Sequence, residues 1–241
     1  MSNWISHLII VDKLFTMGID LDERGFAVGN IAPDCNVENE DWTQFTPPRE
    51  ITHWMNGESK LTADYEGFFE KHIKNKMFTS NEHKAFLWGY YSHLITDVEM
   101  QKFVRDDERV KNTYHRIRQN NDMYKQVKGL PEDFDTLKKI FGRNNIFLDI
   151  ITQEVDYLRR NPNSRYNTII KKIDNFPDYI EYFPQGAIVR KIGIMAREDM
   201  FMEKREEYIF FTQDEFNVFC EKTSGMIYNL IQEKIAQTAI K

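Results

Sequence analysis

The stretch "GYYSHLITDVEM", residues 89–100, sets His93 and Asp97 four apart in an otherwise apolar and aromatic run. On an α-helix, positions i and i+4 share a face, one turn apart. An imidazole and a carboxylate so placed have two readings: a histidine hydrogen-bonded to its carboxylate, or two ligands of a metal ion. The chain offers further donors in order: "WISHL" holds His7, "GNIAPD" ends on Asp34, and "THW" centres on His53. Three histidines and two carboxylates from several segments suit a divalent cation. Zinc takes imidazole nitrogen and carboxylate oxygen, and its catalytic sites keep one position open for water. Two such ions a few ångströms apart can share a carboxylate, polarise a phosphoryl oxygen and activate water for attack at phosphorus.

The elements that would carry these residues read as helices. Apolar spacing through Trp4, Ile5, Leu8, Ile9, Val11, Leu14 and Phe15 is helical, with Ser2 or Asn3 as N-cap and Gly18 as a stop. "LDERGFAVGN" predicts a second, short helix ending near Gly29 or Asn30. The pattern then lapses from residue 31 to 60, and so long an irregular stretch in a compact domain is either functional or a solvated insertion. Helical period resumes in "TADYEGFFEKHIKNKMF", capped by Thr62 or Asp64, and in the strongly apolar "SNEHKAFLWGYYSHLITDVEMQKFV". Farther on, "PEDFDTLKKIF" places Pro131 at a helix start. "NIFLDIITQEVDYLRR" and "SRYNTIIKKIDNF" predict a helical hairpin, and the length of "FPQGAIVRKIGIMAREDMF" favours helix over strand. Thr212 and Glu215 form a capping-box pair at the last helix. The expectation is an all-α single domain over residues 1–241, with a metal-site half (1–128) and additional helices packing on it (129–241).

Composition bounds the function. A chain of 241 residues has room for a substantial core, and 11 Gly with 7 Pro argue against a turn-rich β-sandwich. A net charge of −6 disfavours a grip on extended nucleic acid through phosphate neutralisation. A small phosphoester is compatible, because bound ions supply local positive charge. Cys35 and Cys220 make neither a disulfide framework nor a zinc knuckle and read as reduced thiols, a single long-range bridge being the alternative. The start lacks the pattern of a secretory signal, and no stretch approaches the roughly 20 apolar residues of a membrane span. Cytoplasmic placement without a transmembrane segment is expected.

Taken in order, "WISHLIIVDKL", "VGNIAPD", "THW" and "FLWGYYSHLITD", all within residues 4–97, resemble the zinc-dependent phospholipase C family. The resemblance is closest to the family's short bacterial branch, and its relatives include zinc-dependent single-strand nucleases. It implies that Asp34, His53 and His93 bind one zinc ion and that Asp97 bridges it to a second, which also takes His7. The family's secreted members complete that second site with an N-terminal tryptophan, whereas Trp4 here stands three residues before His7. The family's third zinc needs a histidine shortly after the bridging aspartate and a later His-x3-Glu pair. Phe103 and the absence of that pair imply that no third site of this form exists.

Other residues are candidates on weaker grounds. His115 and Asp122 lie seven apart on one predicted helix and are offered as further metal ligands, with solvated surface positions as the alternative. Asp149 and Glu154 follow on the next long helix, Glu154 reading as a surface carboxylate; His72 and His83 read as surface histidines. Among Trp42, Trp54, Trp88 and Tyr90, the two that flank proposed ligands, Trp54 and Tyr90, are the candidates to contact substrate. The function expected is a zinc-dependent phosphoesterase acting on a phospholipid headgroup, nucleotide or other small phosphoester, with Asp34 both binding metal and orienting water. The alternatives are a non-catalytic, metal-stabilised helical binding domain and a helical interaction protein in which His93–Asp97 is a core hydrogen bond.

Overall fold

A computed structural model describes residues 4–196 and 205–239. The described residues are all-α apart from a two-residue-per-strand hairpin and an isolated bridge between Met55 and Ala63. At their centre lies α5 (Asn81–Val104), buried on every face from Ala85 to Val98. Ser80 caps it by accepting from the His83 N–H at 3.0 Å. Against it pack α2 (Glu23–Ile31) and α4 (Tyr65–His72); α1 (Trp4–Thr16) packs on α2 and meets α5 where the His7 ring stacks on His93, and α12 (Gln213–Ala239) closes over α1 and α5. The proposed caps Ser2 and Asn3 lie outside the described residues.

The expected end near Gly29 or Asn30 holds to within a residue, since α2 stops at Ile31. The helix, capped by Asp22 on the Gly25 N–H at 2.7 Å, runs through both glycines to Ile31 and passes into a 3-10 turn at Ala32–Asp34. The glycines also serve close packing. A Cβ on Gly29 would stand 1.9 Å from the Phe86 carbonyl oxygen, and one on Gly89 would stand 2.1 Å from that of Phe26. With no side chains between them, α2 and α5 touch backbone to backbone, and the Asn30 side-chain amide donates to the Gly89 carbonyl at 3.2 Å. Gly29→Ala is therefore expected to cost about 3 kcal/mol, the upper end for overpacking. Gly193→Ala, where the added methyl meets open space, should change stability by less than about 1 kcal/mol. Urea unfolding of the two variants checks this.

The irregular stretch is built in at its ends, with residues 31–36, 52–53 and 60 buried, whereas residues 39–44 are exposed. It contains the hairpin β1 (Val37–Glu38) and β2 (Phe45–Thr46), with Val37 opposite Thr46, then α3 (Arg49–Thr52) and a 3-10 turn at Lys60–Thr62. Glu38 anchors it by ion pairs to Arg190 and the buried Lys191 of α11 (Ala187–Met195). Asp64, not Thr62, caps α4, accepting from Gly67 N–H at 2.8 Å.

The remainder comprises α6 (Asp107–Arg118), α7 (Asn121–Val127), α8 (Phe134–Phe141), α9 (Arg143–Arg160) and α10 (Arg165–Thr168). Pro131 lies before α8, which is capped by Asp133 instead. The expected hairpin has only one full arm: after α9 come the single turn α10 and a 3-10 turn at Ile170–Lys172. The following chain, carrying Pro177 and Pro184, stays irregular to α11. The rest of the "AREDMF" stretch, residues 197–201, lies outside the described residues. Thr212 and Glu215 do form a reciprocal capping box, at 3.2 and 2.9 Å. Both cysteines are buried and free. Among the described residues, no helix is long and apolar enough to cross a membrane.

Candidate metal centre

His7 comes from α1, Asp34 from the turn after α2, His53 from the end of α3, and His93 with Asp97 from successive turns of α5. All five side chains converge in one buried cluster, with His7 and His93 wholly shielded from solvent. The His93 Nδ1 lies 2.7 Å from the Asn30 carbonyl oxygen. A carbonyl only accepts, so Nδ1 carries the proton and the Nε2 lone pair faces inward. The backbone contact between α2 and α5 thus sets the tautomer of a candidate ligand. The His53 Nδ1 lies 2.9 Å from the Thr52 hydroxyl and 3.2 Å from the Arg49 carbonyl oxygen, which together turn its Nε2 to the same centre. Such outer bonds fix and orient metal-binding imidazoles.

The separations around that centre match a coordination shell. His53 Nε2 stands 3.1 Å from Asp34 Oδ1 and 3.5 Å from Asp97 Oδ2, while His93 Nε2 stands 3.2 Å from Asp97 Oδ2. Ligand atoms bound at about 2.0–2.2 Å to one tetrahedral ion lie roughly 3.4 Å apart. His93 Nε2 and Asp34 Oδ2 are buried and make no hydrogen bond with any described residue. Buried lone pairs facing one another are unfavourable unless a cation lies among them; the Lys60 ammonium meets Asp97, and a divalent ion would meet His93 Nε2 and Asp34 Oδ2. The residues therefore fit a divalent ion. The two candidate triads, His7–His93–Asp97 and Asp34–His53–His93, share His93. Its one inward lone pair serves one ion, so a second ion would rest on His7 and the outer oxygen of Asp97. His7 Nε2 lies 3.7 Å from Asp97 Oδ1, and its ring stacks on His93 at 4.0 Å between centroids.

One member of the cluster is absent from the sequence reading. Lys60, 4 % exposed, sends its ammonium to Asp97 Oδ2 and to within 3.9 Å of Asp34 Oδ1. In "NGESKLTAD" it looks like an ordinary solvated lysine, and only the fold of the irregular stretch carries it inward. Its turn is set by the Ser59 hydroxyl, which accepts from Leu61 N–H at 3.2 Å.

Electrostatics follow from burial and these neighbours. Burial lowers His7 to about 4, with His93 adding and Asp97 opposing; burial and Lys60 lower His53 to about 4 against Asp34 and Asp97. Both are neutral at pH 7, as metal binding requires. Burial works to raise Asp34 and Asp97, but Lys60 and the imidazoles prevail and hold both carboxyls well below the usual range. Because His7 and His53 titrate lower folded than unfolded, the unfolded chain binds more protons between pH 6.5 and 4. Half-buried His72, also lowered to about 4, acts in the same direction. The stability these groups contribute is full above pH 6.5 and lost as pH falls toward 4, by up to about 1.4 kcal/mol per pH unit for each fully buried histidine. Urea unfolding of metal-free protein at pH 7.5, 5.5 and 4.5 should show that decline; a flat profile would contradict it.

Other candidates fall elsewhere. His115 and Asp122 are on different helices, α6 and α7, because the chain turns between them. Both are exposed, His115 beside Gln119 and Asp122 paired with Lys125 at 3.0 Å, so neither joins the cluster. Tyr90 is fully buried and cannot meet a substrate; its hydroxyl donates to the Thr52 carbonyl, fixing the residue before His53, and accepts from Tyr182 at 2.7 Å. Trp54 packs edge-on to Phe68 and does not line the cleft beside the cluster. His72 and His83 are half-buried, His83 stacking on Tyr179. Glu154 is not on the surface: it is buried and accepts from the Ser6 N–H at 2.9 Å, pinning the start of α1 beside His7. Asp149 accepts from the backbone N–H groups of Ile209, Phe210 and Phe211, a structural clamp.

Comparison with known proteins finds no matching family model, no matching curated protein and no matching solved structure.

Proposed function

We propose that the protein is a metal-dependent phosphoesterase of the zinc-dependent phospholipase C type. The observation that carries this reading is the set of imidazole and carboxylate atoms from His53, His93, Asp34 and Asp97 at tetrahedral-edge spacing beside an open cleft. Zinc bound there would supply Lewis acidity and water made acidic enough to attack phosphorus near neutral pH. The chain's own residues do the rest. Asp34 reaches the cleft wall with Oδ1 toward His53; its Oδ2, without a hydrogen bond to a described residue, can accept a hydrogen bond from the attacking water and aim it. His53 and Lys60 share the cleft floor, and the ammonium is placed to stabilise negative charge growing on phosphoryl oxygens. The test is a panel of chromogenic phosphodiesters and monoesters offered to zinc-loaded protein. Turnover abolished by chelator supports the reading, and no turnover across the panel defeats it.

A second reading has its own support. The Lys60 ammonium already neutralises Asp97 within the cluster, which suits a non-catalytic domain stabilised by its buried charges. In that case Asp34→Asn would change stability while no phosphoester is hydrolysed by either protein.

A further inference from the structure

The cleft has a volume of about 660 Å³ and is lined by far more than the cluster. Besides Lys60 it carries Arg49, Arg105, Lys138 and Arg143, against two carboxylates, Asp34 and Glu58. The chain as a whole holds 38 acidic and 32 basic residues, so this concavity reverses the sign of the protein around it. A cleft of one sign focuses field lines and concentrates the opposite ion. The cations come from three separate stretches: α3, the end of α5, and the α8–α9 junction. Arg49 and Lys138 make no ion pair with any described residue, whereas Arg105 is held by Gln101 at 2.7 Å and Asp135 at 3.1 Å.

The aromatic residues in the same wall narrow the ligand further. Recognition of a quaternary ammonium needs open ring faces. Here the Arg105 guanidinium lies 5.3 Å from the Phe134 ring centroid and that of Arg143 lies 5.0 Å from that of Phe147. Two rings of the wall are thus already paired with protein cations, and a second cation brought by a ligand would meet like charge.

We infer that the substrate is a small organic phosphate bearing at least one further anionic group besides the phosphoester attacked, and not one with a cationic headgroup. This rests on the phosphoesterase reading for its chemistry, but the binding preference can be measured without turnover. The scissile group would lie at Asp34, His53 and Lys60, and the second anion at Arg105, Lys138 and Arg143.

The experiment compares two matched pairs of probes. Calorimetry on protein stripped of metal should find thymidine 3′,5′-bisphosphate bound at least about tenfold tighter than thymidine 5′-monophosphate. The double variant Lys138→Gln, Arg143→Gln should remove most of that preference, while Lys125→Gln on the exposed face of α7 should keep it. Zinc-loaded protein should then hydrolyse the 4-nitrophenyl ester of thymidine 5′-phosphate with a lower KM when a 3′-phosphate is present, and both in preference to 4-nitrophenyl phosphocholine. Equal binding of the two nucleotides, or preference for the phosphocholine ester, overturns the inference. Tighter binding of the bisphosphate with no hydrolysis of any ester upholds the preference for a ligand with a second anionic group and defeats the phosphoesterase reading alone.

Discussion

Replacing Lys60 by methionine is expected to cost the metal-free protein about 3 kcal/mol of stability, and zinc is expected to restore it. The lysine side chain is 3 % exposed and its ammonium faces Asp97, itself 2 % exposed, with Asp34 alongside. Methionine keeps the length and the apolar stem but deletes the charge. Breaking a buried ion pair on one side leaves an uncompensated charge, at a cost of about 3–5 kcal/mol. A divalent ion bound by the same carboxylates supplies the missing charge, so the gap between wild type and variant should close when zinc is added. Zinc should also bind the variant more tightly, because the same Asp97 oxygen no longer has to release an ammonium. Urea unfolding with and without zinc reads both effects. An unchanged metal-free midpoint would mean that the two carboxylates do not need a cation.

The second large effect is on metal affinity. His93→Ala should weaken zinc binding by more than about 100-fold, beyond what the loss of an outer-shell partner costs. Its Nε2 is common to both candidate triads, and its orientation is locked by the Asn30 carbonyl. His115→Ala, on the exposed face of α6, should leave affinity unchanged. Competition with a chromophoric chelator measures the affinity, and circular dichroism separates loss of the ligand from loss of fold. His93→Gln, which keeps a polar side chain in the cavity, provides a second variant should alanine unfold.

The five clustered residues were legible because their types and order in the chain are unusual together, although they come from four separate segments. His93 and Asp97 also stand one helical turn apart, a relation that local periodicity states directly. The capping box at Thr212 and Glu215 was legible for the same reason. What escaped were residues whose roles depend on distant partners. Lys60 meets Asp97 across 37 positions, and Glu154 meets Ser6 across 148. Neither contact leaves a mark on its neighbours in sequence. Gly29 reads as a stop near the end of a short helix, and α2 does end two residues later, at Ile31. The glycine's reason here is a tertiary one, the 1.9 Å that a Cβ would leave to the Phe86 oxygen. His115 and Asp122 were brought together by assuming a single helix, and the turn after Arg118 separates them.

The most direct test of the metal centre is the metal content of protein purified without a metal-binding tag, read by inductively coupled plasma mass spectrometry. At least one equivalent of zinc is expected in the wild type, lost in His93→Ala that remains helical. A wild type that carries no metal, takes up none from added zinc and melts at the same temperature with or without it would contradict the account. The His93–Asp97 pair would then be core packing.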